Sequence, residues 1–330
     1  MRGMLWQPAL VAFVIALLCL RVLVSDLGRR LVLDRPNERS LHAHPVPRTG
    51  GLAIIAGVAA GCFAGAPEFG MTLGLAAALA AVSFLDDIFD LRTALRLLLH
   101  LAAASAVVMF ELRFPGWILF TVFALSVAWY TSLYNFMDGS DGLAGGMALI
   151  GFGAYATAAA LSGVHALAEL CVVVAAASGA FLTRNFHPAS IFMGDVGSVP
   201  LGFLAGALGL IGWNDGVWPI WFPILVFAPF VCDATLTLIK RLLRGERVWQ
   251  PHRDHYYQRL VRMGFGHRGT AAIEYTAMLA CAVTALFARG ASISAQVAAI
   301  VAAALALVAI AAWVDIRWAR FESRASGAQP

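Results

Sequence analysis

Apolar runs of 15 to 22 residues, separated by short polar connections, follow one another almost from end to end of the chain. An α-helix needs about 20 mostly apolar residues to cross the hydrocarbon layer of a membrane. The pattern predicts helices over 4–24, 51–66, 70–85, 94–110, 116–134, 143–161, 166–183, 199–213, 218–239, 271–288 and 293–313. These are about eleven transmembrane helices in one integral membrane domain, 1–330, of all-α polytopic class, with a C-terminal tail over 314–330. No stretch between the runs is long enough to bury a soluble core of its own.

Composition supports this class. Of the 330 residues, 61% are hydrophobic and 13% charged, against about 45–50% and about 25% in soluble domains. The mean hydropathy is +0.80. The opening run, Met4 to Val24, is long for a signal-peptide core and has no convincing cleavage site before Ser25, so it reads as a retained span. Cys19, Cys62, Cys171, Cys232 and Cys281 all fall inside apolar runs without CxxC spacing, which makes them small apolar filler.

Charge then sets an orientation. The pI of about 9.0 would suit a nucleic-acid partner, but the distribution of the charge argues against one. Alternate connections, with the span ends that adjoin them, hold 20 of the 23 Lys and Arg, and the other set holds only Arg2, Arg113 and Arg289. By the positive-inside rule the rich set is cytoplasmic and the N-terminus periplasmic. The cytoplasmic loops are then about 25–50, 86–93, 135–142, 184–198 and 240–270. The other set, with stretches such as "GAPEFG" and "WNDGVW", carries little that could do chemistry.

The inner loops concentrate the candidate chemistry. Asp86 and Asp87 are neighbours, and Asp90 follows Asp86 at helical i+4 spacing. Asp138 and Asp141 stand three apart in "NFMDGSDG", with Asn135 three before them. Asp195 lies between Gly194 and Gly197, where backbone amides can be left open to an anion. Hard oxygen donors beside Arg and His suit Mg²⁺, which takes one or two carboxylates with phosphate oxygens. Any one of these acids could equally cap a helix or sit in a solvated turn, the reading given to Asp34, Glu38, Glu246 and Asp315. Six in three loops on one side are better explained by a site, since ionisable groups at membrane depth mark function by default. Among the bases, Lys240 and Arg241 read as a juxtamembrane contact with anionic lipid. His252, Arg253 and His255 could reach a diphosphate, while His42, His44 and His187 read as loop donors.

The ordered set "HPVPRTGG" (44–51), "DDIFD" (86–90), "NFMDGSDG" (135–142), "FMGDVGS" (192–198) and "HRDH" (252–255) resembles that of the bacterial polyprenyl-phosphate N-acetylhexosamine-1-phosphate transferases. The likeness covers essentially the whole chain and includes span count and loop order. It implies an enzyme of the bacterial inner membrane that joins undecaprenyl phosphate to a UDP-N-acetylhexosamine, giving undecaprenyl-diphosphate-sugar and UMP. It further implies Mg²⁺, with Mn²⁺ as a substitute, held by Asn135 and Asp195. Asp86 and Asp87 would orient or deprotonate the lipid phosphate, with Asp90 in a secondary role. Asp138 would support the metal or the nucleotide. Asp141 and Phe192 would contact uridine, the Phe192 ring stacking on uracil. His252, Arg253 and His255 would hold the diphosphate, with Arg48 at the rim. Membrane lipids are the other expected contacts, and a homodimer is compatible with the pattern.

Two departures refine the resemblance. The phospho-MurNAc-pentapeptide translocases end the first acidic motif in lysine, where this chain has Asp90. They also carry adjacent histidines in the last inner loop, where this chain has "HRDHYYQRL". Both point to the initiators of surface polysaccharides of the O-antigen type, without naming the sugar. A different class, an ion-coupled transporter, also keeps carboxylates in its helices. Here the acids sit at helix ends on one side, and no inverted repeat is visible.

Overall fold

The computed structural model describes residues 6–25, 33–34, 45–65, 68–89, 91–113, 116–248, 250 and 252–327. Thirteen α-helices account for most of them: α1 (Trp6–Leu23), α2 (Gly50–Ala64), α3 (Gly70–Phe89), α4 (Thr93–Phe110), α5 (Trp117–Phe136), α6 (Leu143–Leu161), α7 (His165–Asn185), α8 (Asp195–Asn214), α9 (Trp221–Val226), α10 (Ala228–Leu243), α11 (Tyr256–Leu260), α12 (Gly266–Ala288) and α13 (Ile293–Gly327). A two-residue antiparallel pair, β1 (Leu33–Asp34) with β2 (Val46–Pro47), sits in the first long connection. Asp90 and His44, both singled out from the sequence, lie outside the described residues.

Among the described residues, nine helical stretches are long and apolar enough to cross a membrane, and the chain is a multi-pass, all-α membrane protein. Two of the eleven expected spans take another form. The run near 51–66 becomes α2, only 15 residues long. The run over 218–239 is broken at Phe227, where backbone angles of φ −98° and ψ 12° separate α9 from α10. Pro229 contributes to the break because it has no N–H to donate into the ladder. The loop drawn over 240–270 also contains helix. It turns helical at Tyr256, widens into a π turn over Val261–Phe265, and enters α12 through Gly264 (φ +96°) and Gly266 (φ +64°). Only glycine adopts such angles at low cost. The expected tail from 314 is helical as well. α13 runs on to Gly327, and its 35 residues span about 52 Å at 1.5 Å per residue, well beyond a hydrocarbon layer of about 30 Å.

α8 is the centre of the bundle, buried along almost its whole length. In lipid the apolar effect does not drive helix association, so close approach through small residues has to. Gly202 and Gly206 provide it. A Cβ on Gly202 would lie 2.5 Å from the Tyr130 carbonyl of α5, and one on Gly206 would lie 3.1 Å from Val127 Cα. Ascending positions on α8 therefore meet descending positions on α5. The start of α8, with Asp195, and the end of α5, with Asn135, project from the same end of the bundle.

Candidate functional site

Three polar clusters form at that end, linked by the loops that carry the candidate residues. The first joins the end of α3, the start of α4, the start of α8 and the approach to α2. Arg48 Nη2 lies 2.9 Å from Asp87 Oδ1 and 3.3 Å from Asp195 Oδ1. Arg96 Nη1 lies 2.8 Å from Asp86 Oδ2, and its Nη2 lies 3.5 Å from Asp195 Oδ2. The Leu91 amide donates to Asp86 Oδ1 at 2.8 Å. Both oxygens of Asp86 are thus engaged, whereas Asp87 Oδ2 makes no hydrogen bond among the described residues. Asp195 has the loosest ion pairs of the three acids. It is aimed by its position as first residue of α8, after Gly194 in an extended conformation at φ +70°.

Backbone pairing carries Arg48 to this place. Phe192 N donates to Pro47 O (2.7 Å), Gly50 N to Phe192 O (2.8 Å) and Gly51 N to Met193 O (2.8 Å). Phe192 itself is half-buried beside Asp195 in the chain.

The second cluster surrounds Asp141, which is buried. His187 Nδ1 donates to Asp141 Oδ2 at 2.6 Å, and the Ala189 amide donates to the same oxygen at 3.1 Å. His267 Nδ1 accepts from the Asp141 amide at 3.3 Å and lies 2.9 Å from the Ser140 hydroxyl. The two imidazoles stack, with centroids 5.2 Å apart. Asn185 ties the turn together, accepting from Gly142 N (2.9 Å) and donating to Ile191 O (3.0 Å). His187, expected to be an isolated loop donor, instead belongs to this network.

The third cluster holds the last loop. His255 Nδ1 donates to Asp233 Oδ1 at 3.0 Å, and both side chains are almost fully buried. The His255 ring stacks near Phe136, at 6.3 Å between centroids, and lies 4.9 Å from that of His252. Tyr257 donates its hydroxyl to Phe136 O at 3.2 Å. Burial, then the neighbouring His255 and Arg241, hold His252 down to about 4, so it is neutral at physiological pH. Its Nδ1 accepts the Asp254 amide at 3.3 Å. Burial works against the Asp254 carboxylate, but its hydrogen bond from Arg241 wins and holds it below the usual range. Arg241, expected at the lipid surface, is in fact buried and paired with Asp254 and, at 3.0 Å, with Glu246. Asp315, assigned to a solvated turn, pairs with Lys240 and, at 3.0 Å, with Arg259. Arg253 is half-buried in the same loop.

The clusters are contiguous along the chain. Residues 135–142 touch the third cluster through Phe136 and form the second through Asp141. Residues 185–195 begin in the second and end in the first. Asn135 and Asp138 lie half-buried in this bridge, and the Asn135 amide makes no side-chain hydrogen bond among the described residues. Two buried acids were missed. Asp233 is hidden inside an apparent span, and Glu274 is buried on α12. Arg96 was missed because it reads as the polar flank of α4; its i+10 spacing from Asp86 gives no helical signal across the intervening break.

Among the described residues, no three His, Cys, Asp or Glu side chains converge as a ready-made metal set. The donor chemistry still fits a hard cation of Mg²⁺ type, which needs only one or two protein carboxylates when phosphates supply the rest. Asp195 is loosely paired, and the Asn135 side-chain amide at the same end makes no hydrogen bond among the described residues.

Comparison with known proteins accords with this geometry. The glycosyl transferase family 4 model matches residues 69–213, from the start of α3 to the end of α8. A Bacillus subtilis (strain 168) protein described as a probable undecaprenyl-phosphate N-acetylglucosaminyl 1-phosphate transferase is 31% identical over 307 residues, covering 86% of each chain. A Mycobacterium leprae decaprenyl-phosphate N-acetylglucosaminephosphotransferase is 30% identical over 77% of this chain and 76% of its own. A Yersinia pestis undecaprenyl-phosphate alpha-N-acetylglucosaminyl 1-phosphate transferase is 30% identical over 72% of this chain and 71% of its own. With such likeness running through the helices that build the acidic cluster and well beyond them, the chain belongs to glycosyl transferase family 4, among the polyprenyl-phosphate N-acetylhexosamine-1-phosphate transferases.

Proposed function

We propose that the protein transfers N-acetylhexosamine 1-phosphate from a UDP-sugar to undecaprenyl phosphate, releasing UMP, at the cytoplasmic face of the bacterial inner membrane. One observation carries the reading: Asp86, Asp87 and Asp195 come from two different helices and are gathered by Arg48 and Arg96 at one end of an apolar bundle. A substrate rooted in lipid and a soluble nucleotide can meet only at such a boundary, and both bring phosphate. The relatives' names supply the polyprenyl-phosphate acceptor and the N-acetylglucosaminyl 1-phosphate group that is transferred, and the UDP carrier is what the motif resemblance implies.

In the reaction an oxygen of the lipid phosphate forms a bond to the sugar-bearing phosphorus, and the bond from that phosphorus to the UMP oxygen breaks. Asp87 is the acid best placed to orient the attacking phosphate, by holding Arg48 towards it and, while the phosphate still carries a proton, by accepting that proton's hydrogen bond at Oδ2. Proton removal matters less, because a phosphate monoester has its second pKa at about 6 and is mostly dianionic at neutral pH. Asp86 acts through Arg96, which it fixes. Arg48 and Arg96 are suited to phosphate oxygens, whose charge spreads as the bond is broken. Asp195 and Asn135 would hold Mg²⁺, which when bound neutralises diphosphate charge and favours departure of UMP. Phe192 and the Asp141 turn would receive uridine, with Asp138 beside them. The His252–His255 loop would meet the diphosphate.

The test is UMP release from purified protein given undecaprenyl phosphate and a panel of UDP-N-acetylhexosamines. Release with at least one donor, abolished by EDTA and restored by Mg²⁺ or Mn²⁺, is expected. No release with any donor overturns the reading, and turnover that survives thorough chelation removes the metal. Asp90 and the "HRDH" motif favour initiation of a surface polysaccharide of the O-antigen type, and the donor panel bears on that too.

A further inference from the structure

Asp233 sits on α10 inside an apparent membrane span, and the chemistry above leaves it unused. Its carboxylate is nonetheless the most fully engaged in the third cluster. Oδ1 accepts from His255 Nδ1 (3.0 Å), from the Tyr256 amide (3.0 Å) and from the Thr237 hydroxyl (3.2 Å). Oδ2 accepts from the Tyr257 amide at 3.0 Å. A buried carboxylate has to be satisfied in this way or its desolvation is ruinous.

The two amides by themselves would explain an acid that caps α11. They do not explain the imidazole. His255 also closes a capping box with Gln258, its backbone amide donating to Gln258 Oε1 at 3.3 Å while its side chain faces the Gln258 amide. Its ring is held between Phe136 and Tyr257, with centroids at 6.3 and 5.8 Å. With Nδ1–H committed to Asp233, Nε2 is the ring nitrogen left for another partner, since the partner of one ring nitrogen fixes the role of the other. Nε2 makes no hydrogen bond among the described residues.

We infer that Asp233 is a positioning residue, which fixes His255 through Nδ1–H so that Nε2, carrying the second ring proton in the bound complex, donates to the diphosphate of the nucleotide sugar. This rests on the transferase reading. The acid never touches substrate, and its effect passes wholly through the histidine.

A double-mutant comparison tests it. Asp233→Asn in the otherwise unaltered chain is expected to lower kcat/KM about 10- to 100-fold. The loss should appear as a raised KM for the UDP-sugar, with the KM for undecaprenyl phosphate unchanged. In a His255→Gln background the same change should cost less than about twofold more, because coupled residues are not additive. Equal losses in both backgrounds, or a loss shared by both substrates, would mean that Asp233 merely anchors α11, and the inference falls. Should Asp233→Asn not fold, the ¹⁵N spectrum of selectively labelled His255 in the unaltered protein decides. A protonated Nδ1 is expected, and a bare Nδ1 with the proton on Nε2 overturns the proposal. If the unaltered protein releases no UMP, the transferase reading has failed, while the same spectrum still reports whether Asp233 sets the ring.

Discussion

The two ends of the bundle are made from the same residue types and organised differently. At the end opposite the site, the polar contacts include no ion pair among the described residues. Thr72 donates to Glu111 at 3.2 Å, the Arg113 amide to Asn214 at 3.1 Å, and Arg289 to Ser162 at 2.8 Å. Each stitches two neighbouring segments, and the last two are exposed. At the site end, each guanidinium of the first cluster serves two acids, and Asp195 ties the start of α8 both to Arg48 ahead of α2 and to Arg96 on α4. Isolated exposed pairs are worth little, because water competes for both partners. Networks at the membrane boundary hold several charges in one geometry, which is the prerequisite for handling phosphates.

That contrast can be broken in graded steps. The largest effect is expected from Asp195→Asn, which should cut UMP release about 10²- to 10³-fold with thermal unfolding in detergent little changed; ordinary turnover would remove Asp195 from the site. Arg96→Gln comes next, with a loss of about 10- to 100-fold, since it frees Asp86 and Asp195 together. A smaller effect is expected at His252. Its folded-state value of about 4 lies below the ordinary 6.5. As pH falls from 6.5 towards 4, the unfolded chain gains a proton that the folded one refuses, so stability declines over that window and is fully present above it. Unfolding temperatures of His252→Gln should be flatter than those of the parent protein across that range, and parallel curves would contradict the assignment. The smallest effect is expected at the other end. Asp215→Asn should leave activity within about twofold, and a dead enzyme there would erase the distinction between the two ends.

Much of this was legible in the chain. Apolar run length gave the helical class, because a membrane span is set by the thickness of the layer it crosses. The acids of the first cluster stood out because charge is conspicuous against an apolar background. What was hidden depends on space. Arg96 and Asp86 meet only after the chain turns between α3 and α4. Asp233 was masked by apolar neighbours, although an acid within a span is itself a signal. The pairing of Asp141 with His187 joins residues 46 apart, and nothing local announces it. Phe227 and the length of α13 escaped because hydropathy reports neither a backbone break nor the continuation of a helix into water.

Gly51 and Gly197 touch through their backbones. A Cβ at Gly51 would stand 2.3 Å from Gly197 N and 2.5 Å from its Cα. The seam that carries Arg48 to Asp195 therefore closes only if both positions stay bare. A single methyl group there would pry the starts of α2 and α8 apart with every charge still in place. Inactivating changes in this protein should thus be sought among residues that have no chemistry to lose, where a scan of acids and bases would never look.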